Sequence, residues 1–154
     1  MIAHDDVDRI MAVMLAAFDP FYGEAWTRAQ VENALLLGSC RYLLVDQDGR
    51  VPGEGRSAAG FALLRAVLDE EELLLFAIRP EFRRRGLGKQ LLDFVLASAK
   101  SAGTRRMLLE MRRGNDAGRL YEAAGFLPIG VRPNYYRHAD GKRADAITFA
   151  REID

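Results

Sequence analysis

The apolar positions near the start of the chain, Val7, Ile10, Met11, Met14, Leu15 and Phe18, recur at i, i+3, i+4, i+7, i+8 and i+11. That is the stripe of an amphipathic helix, with Asp5 or Asp6 as its cap and Pro20 as its stop. A second helix is predicted from Thr27, its register carried by Val31 and Leu35 with Ala34, and Gly38 ends it. The period then changes. Arg41 to Asp46 is a short strand rich in Tyr, Leu and Val, closed by Asp46, Asp48 and Gly49. Ala58 to Leu68 and Leu73 to Arg79 read as two more strands around an acidic turn, Asp69 to Glu72. The segment Gly49 to Ser57, with Gly49, Pro52, Gly53 and Gly55, is a long hairpin connection between strands. The strand from Leu73 is almost wholly apolar, which predicts a central place in the sheet, covered on both faces.

Leu87, Leu91, Phe94, Val95 and Ser98 place a third helix directly after a run of glycines and arginines, and Gly103 terminates it. Met107 to Met111 is a further strand. A short helix near Asp116 to Ala124 ends at Gly125, and strands at Phe126 to Val131 and Ala146 to Glu152 finish the chain. The order helix, helix, strand, strand, strand, helix, strand, helix, strand, strand predicts a mixed α/β plan built on one sheet. No internal repeat or low-complexity segment interrupts it.

Composition narrows the class. With 154 residues, 49% hydrophobic and 29% charged, the chain fits one globular domain over residues 1–154. Lys plus Arg (22) balances Asp plus Glu (22), which argues against wholesale wrapping of nucleic acid and leaves only local basic patches. The longest apolar run, Ile10 to Phe18, is too short to span a bilayer. It follows His4, Asp5, Asp6 and Asp8 where a secretory signal needs a positive region, so export is not expected. A lone cysteine, Cys40, fits a reducing cytoplasm. Opening a strand with no His beside it, Cys40 reads as a small buried side chain rather than an acyl carrier. His4 and His138 are isolated, so no metal site is expected. Arg105-Arg106 and Arg112-Arg113 read as solvated charges, with contact to RNA or the ribosome as the minority reading.

The segment Pro80-Glu81-Phe82-Arg83-Arg84-Arg85-Gly86-Leu87-Gly88-Lys89 joins the apolar strand to the third helix. At a helix start the first N–H groups have no partner within the helix, and the dipole favours an anion there. Gly86 and Gly88 let phosphate oxygens approach the backbone, and the arginines add charge. Taken alone, a Gly-x-Gly of this kind is better read as a tight turn.

Three segments in sequence strengthen the phosphate reading. Arg83-x-x-Gly86-x-Gly88, then Glu110 to Asn115, then Leu120-Tyr121-Glu122-Ala123-Ala124-Gly125-Phe126 resemble, in order, the acyl-coenzyme A loop and the "Asn … Leu-Tyr-Glu … Gly-Phe" signature of the GCN5-related N-acetyltransferases. Within that family the chain is most similar to the bacterial enzymes that acetylate the N-terminal alanine of ribosomal protein S18. The likeness rests on Trp26-Thr27, Val67-Leu68-Asp69-Glu70, Glu110, Arg132-x-Asn134-Tyr135-Tyr136 and Asp145-Ala146. It runs from about Trp26 to Phe149 and is strongest from Asp69 to Tyr136.

The resemblance implies a mixed, mostly antiparallel central sheet flanked by helices, with acetyl-coenzyme A as co-substrate and no metal. It implies that the backbone at Phe76, Ala77 and Ile78 receives the pantetheine arm like an added strand. The phosphates then lie on Arg84, Arg85, Gly86, Leu87, Gly88 and Lys89, and Asn115 bonds the arm. Glu110 matches the general base and Tyr121 the residue facing the sulfur. Each has a plain structural alternative: a strand-end carboxylate paired with Arg112 or Arg105, and a packed helix tyrosine with a satisfied hydroxyl.

Asn134, Tyr135 and Tyr136 match the slot for the acceptor. Glu70 to Glu72 with Asp145 are expected to attract the ammonium group and any basic stretch behind it. The resulting expectation is a cytoplasmic N-acetyltransferase working by direct transfer in a ternary complex on a protein N-terminus, needing no membrane and no obligatory nucleic acid. Two other readings remain open. One is acetylation of a small amine or lysine by the same fold; the other is a nonenzymatic coenzyme A binding or ribosome-associated module.

Overall fold

The computed structural model describes residues 4–154, with side chains from Asp6 onward. Its elements are α1 (His4–Ala17), a 3-10 turn (Pro20–Tyr22), α2 (Arg28–Leu36), β1 (Cys40–Val45), β2 (Gly60–Val67) and β3 (Glu70–Ile78). A second 3-10 turn (Pro80–Phe82) leads to α3 (Leu87–Ser101), β4 (Arg106–Arg112), α4 (Gly118–Ala123), β5 (Leu127–Arg137) and β6 (Arg143–Glu152). The predicted order of helices and strands holds. Helix α1 runs His4–Ala17, so Asp5 and Asp6 lie inside its first turn instead of capping it. Thr27 does cap α2: its hydroxyl accepts from Gln30 N–H while the Gln30 side chain accepts from Thr27 N–H, a reciprocal capping box.

The strands form one six-stranded sheet in the order β1-β2-β3-β4-β6-β5. Every neighbouring pair is antiparallel except β3 and β4, which run parallel and are joined through α3, as a parallel connection requires. Two cores lie on opposite faces. Leu87, Leu91, Leu92 and Val95 of α3 pack with Leu64, Leu73, Met107 and Phe149 on one face. Ile10, Val13 and Met14 of α1 and Val31 of α2 pack with Phe61, Leu63, Leu75 and Ala77 on the other. The buried stripe of α1 is therefore centred on Val13, and Leu15, expected on the apolar face, is 78% exposed.

Two features of β3 set up the site. Of the acidic stretch expected as a turn, Asp69 stays in the turn but Glu70 to Glu72 are the first three residues of β3, because each of those carboxylates meets an arginine: Glu70 with Arg106 at 2.6 Å, Glu71 with Arg41 at 2.8 Å and Glu72 with Arg65 at 3.0 Å. The turn itself is at Leu68, whose φ of 58° is left-handed. Further along, Leu63 pairs with Leu75 but Leu64 pairs with Leu73, so Leu74 is an extra residue in β3. This bulge reverses the facing of the strand beyond it, which is why Leu73 belongs to the α3 core and Leu75 to the α1 core.

Candidate active site

Beyond the bulge β3 and β4 part. Their parallel pairing covers Glu70 to Leu73 against Arg106 to Leu109 and no further, while β4 continues along β6 to Arg112. The wedge left between them opens into a cavity of about 970 Å³ bounded by Leu74 and Phe76 on β3 and by Glu110 and Met111 on β4. Arg79 N–H donates to Ala59 of the β2 side at 2.8 Å, so by antiparallel alternation Phe76 and Ile78 turn their backbone groups toward the open edge. Arg83 Nε already donates to Ile78 C=O at 3.1 Å. The backbone of Phe76 faces the wedge.

Just beyond the end of β3, where Gly88 lies beside Ile78 and Leu120, Arg84 and Gly86 both adopt left-handed φ, 64° and 76°. Gly86 caps α3 without a side chain to meet the N–H groups of Leu87, Gly88 and Lys89, so these remain anion donors at the positive end of a helix running to Ser101. Arg83 also holds Ala17 C=O at 3.2 Å, locking the loop against α1 and leaving Arg84 and Arg85 exposed beside the donors. Leu87 itself is a core residue and Lys89 pairs with Asp93 at 2.8 Å.

Glu110 is held by Arg132 Nε at 2.9 Å and accepts from the Thr148 hydroxyl at 3.4 Å, both from β5 and β6 rather than from the neighbouring arginines on its own strand. Tyr121 lines the same cavity at 6% exposure, edge-on to Phe76 and Phe126 with ring centres 6.0 Å away in each case. It gets there because α4 lies close on β4: a Cβ on Gly118 would meet Met111 Cε at 3.0 Å, so only glycine leaves that contact undisturbed. Burial first, then the negative charge of Glu24, raises the Tyr121 pKa well above the usual phenol value. Tyr136 is pushed up to about 12, by burial and then by Glu24 and Glu110. Both phenols are hydroxyl donors at any physiological pH.

Asn115 lines the cavity too, with its side-chain oxygen accepting from Ala117 N–H at 2.9 Å to start α4. Tyr135 and Tyr136 lie against each other at 5.1 Å and line the far end. Asn134 does not line it. Its φ of 54°, with its N–H donating to Asp145 at 3.0 Å, shapes the bulge that presents the two tyrosines. Asp145, expected to attract an ammonium group, is occupied by that bond and by Arg113 at 3.4 Å. Glu70 and Glu71 lie outside the cavity, and Glu72, which lines it, is paired with Arg65.

Three residues to which the sequence assigned no charged role in the site contribute charge here. They are Arg132, Glu24 on the segment before α2, and Arg112, whose guanidinium stacks 3.7 Å from the Tyr22 ring centre and is 12% exposed rather than solvated. Cys40 opens β1 as expected and is half-buried.

Comparisons agree with this geometry. The family described as Acetyltransferase (GNAT) matches residues 8–126. The [ribosomal protein bS18]-alanine N-acetyltransferase of Haemophilus influenzae is 38% identical over 97 residues, 63% of this chain and 66% of that protein. The protein of the same name from Escherichia coli K12 is 41% identical over 96 residues, 62% of this chain and 64% of that protein. The match thus spans just under two thirds of these curated relatives. Among solved structures, the ribosomal-protein-S18-alanine N-acetyltransferase of Escherichia coli superposes with a TM-score of 0.80 at 28% identity, covering 99% of this chain and 91% of that one. Ard1 of Thermoplasma volcanium gives 0.76 at 25% identity, covering 99% and 95%. The family match over most of the chain, on a sheet that splits at β3 and β4, establishes that the chain belongs to the acetyltransferase (GNAT) family.

Proposed function

We propose that the protein transfers acetyl from acetyl-coenzyme A to the α-amine of a protein N-terminus, the alanine of ribosomal protein bS18 being the acceptor that its relatives' names supply. The observation that carries this reading is one cavity at the open edge of β3, lined by Phe76, Glu110, Asn115 and Tyr121, with the start of α3 and its N–H donors packed beside Ile78 and Leu120. The donor supplies a thioester whose C–S bond breaks as the new C–N bond forms.

The residues divide the work. Phe76 offers its backbone N–H and C=O to the amide-bearing arm, as a strand edge does to an added strand. The N–H groups of Leu87, Gly88 and Lys89 with Arg84 and Arg85 hold the phosphates, and Gly86 keeps their approach clear. Asn115 supports the arm from the β4 side. Glu110 takes one proton from the acceptor ammonium through water, leaving a neutral nitrogen to attack. Tyr121 keeps its own proton, since its pKa is raised, and stabilises the departing thiolate by donating a hydrogen bond, while the second proton that the nitrogen loses on becoming an amide ends on the sulfur as thiol. Tyr135 and Tyr136 wall the slot for the first acceptor residue, over the bulge set by Asn134.

An α-amine suits a single carboxylate base. With a pKa near 8 it is roughly 10% neutral at pH 7, against about 0.04% for a lysine amine near 10.4. The test is mass spectrometry on the purified protein with acetyl-coenzyme A and two matched peptides, one with a free N-terminal alanine and one N-blocked with an internal lysine. Acetylation of the first is expected, with equimolar thiol release. Preferential acetylation of the blocked peptide would overturn the acceptor, and no acetylation of either would overturn the enzyme reading.

A further inference from the structure

Glu24 belongs to neither the donor loop nor the Glu110 and Tyr121 pair, yet it lines the same cavity. It sits between the Pro20–Tyr22 turn and α2, 15% exposed. Its nearest cation is Arg112 Nε at 3.5 Å, longer than a charge-assisted hydrogen bond of roughly 2.7–2.9 Å. Arg112 Nε, buried, has no hydrogen-bond partner among the described residues, and its guanidinium is spent on the Tyr22 ring 3.7 Å away. Glu110 differs: its ion pair with Arg132 is closer, at 2.9 Å, and it accepts from the Thr148 hydroxyl at 3.4 Å. The cavity therefore holds one well-bonded carboxylate and one under-bonded one.

Resting on the function proposed above, we infer that Glu24 is the receptor for the acceptor's ammonium group, a specificity-determining residue distinct from the base. A buried carboxylate short of donors gains most from a ligand that brings N–H donors and a positive charge, and an α-ammonium brings both. Burial raises the Glu24 pKa, partly offset by Arg112 and His138, and a bound ammonium favours its carboxylate form further. Glu110 then removes one proton, so that the ammonium becomes an amine and Glu110 a carboxylic acid. Two carboxylates at one slot thus share recognition and deprotonation. A neutral end group of the same shape leaves Glu24 with only its long contact to Arg112, and an N-blocked peptide is rejected for that reason.

The experiment is calorimetric titration of the coenzyme A complex with a hexapeptide beginning in alanine and with its analogue in which a hydroxyl replaces the α-amine. The unsubstituted protein is expected to favour the amine by about 10- to 100-fold near pH 7. Glu24→Gln should collapse that ratio toward one and lower kcat/KM chiefly through the acceptor KM. Arg112→Met removes both the stacking on Tyr22 and the 3.5 Å ion pair to Glu24 but leaves the carboxylate free to take the ammonium, so the ratio should survive it. A ratio unchanged in Glu24→Gln, or lost equally in Arg112→Met, would assign Glu24 a purely structural tether and overturn the inference. If the unsubstituted protein acetylates the peptide but shows no preference for the amine, Glu24 alone is misassigned; if it acetylates no N-terminal peptide, the function proposed above falls as well.

Discussion

Glu110 and Tyr121 reach one cavity from different elements, and their substitution separates chemistry from architecture. Glu110→Gln keeps a partner for Thr148 but removes the carboxylate proposed as base, and is expected to lower kcat by about 10²- to 10⁴-fold with donor affinity within a factor of a few. Tyr121→Phe retains the edge contacts to Phe76 and Phe126 and loses only the hydroxyl; a loss of about 10²- to 10³-fold in kcat is expected. Thiol release followed beside calorimetric titration of acetyl-coenzyme A checks both, and a Tyr121→Phe protein as fast as the parent would remove that hydroxyl from the reaction. These two residues were legible because they sit in motifs of fixed local spacing. Arg132 and Glu24 were not, since each acquires its role from a partner far along the chain: Arg132 across the sheet from Glu110, and Glu24 over Arg112. Arg112 was misread for the same reason, as nothing local to β4 announces the Tyr22 ring that covers it.

Among the elements, the loop from Arg83 to Gly86 carries the clearest demand on backbone shape. Gly86 has open space around its Cβ position, so a side chain there is opposed by its φ of 76° and by whatever occupies the helix start, not by protein atoms. Gly86→Val is accordingly expected to fold, with a thermal midpoint lowered by the roughly 1–2 kcal/mol that a left-handed β-branched residue costs. Its dissociation constant for acetyl-coenzyme A should rise at least about tenfold. Equal donor affinity in the folded variant would move the phosphates elsewhere. Helix and strand order could be read from period alone, but strand limits could not. Strand β3 begins at Glu70 because Arg106, Arg41 and Arg65 neutralise a run that in isolation looks like a solvated turn. Strand β5 continues to Arg137, beyond the expected Val131, because the Asn134 bulge pinned by Asp145 lets pairing resume at Tyr136. Bulges are read poorly from sequence, and those at Leu74 and Asn134 shape the cavity.

A sheet that opens at one end must be held at the other, and the closed end of the wedge is organised around one buried carboxylate. Glu71 is 3% exposed and accepts from Arg41 Nε at 2.8 Å, Arg41 Nη2 at 3.0 Å and the Thr104 hydroxyl at 2.9 Å, while Arg41 Nη1 also donates to Ser98 of α3 at 2.9 Å. The network joins β1, β3, α3 and the approach to β4 just below the last paired residues, Leu73 and Leu109. Burial alone would raise the Glu71 pKa, but the bonds from Arg41 and Thr104 outweigh it and hold the group below its ordinary 4.5. Between the folded and unfolded values the unfolded chain binds more protons, so stability rises with pH there. The contribution is complete above about pH 5 and is lost as pH falls through the folded value. Glu71→Gln, which keeps the shape but not the charge, is expected to lose about 1.5–3 kcal/mol at pH 7. Its deficit against the parent should shrink as both are denatured in urea at successively lower pH from 6 to 3. A deficit constant across that range would show that Glu71 acts through packing alone, and that the wedge is held closed at its base without this charge.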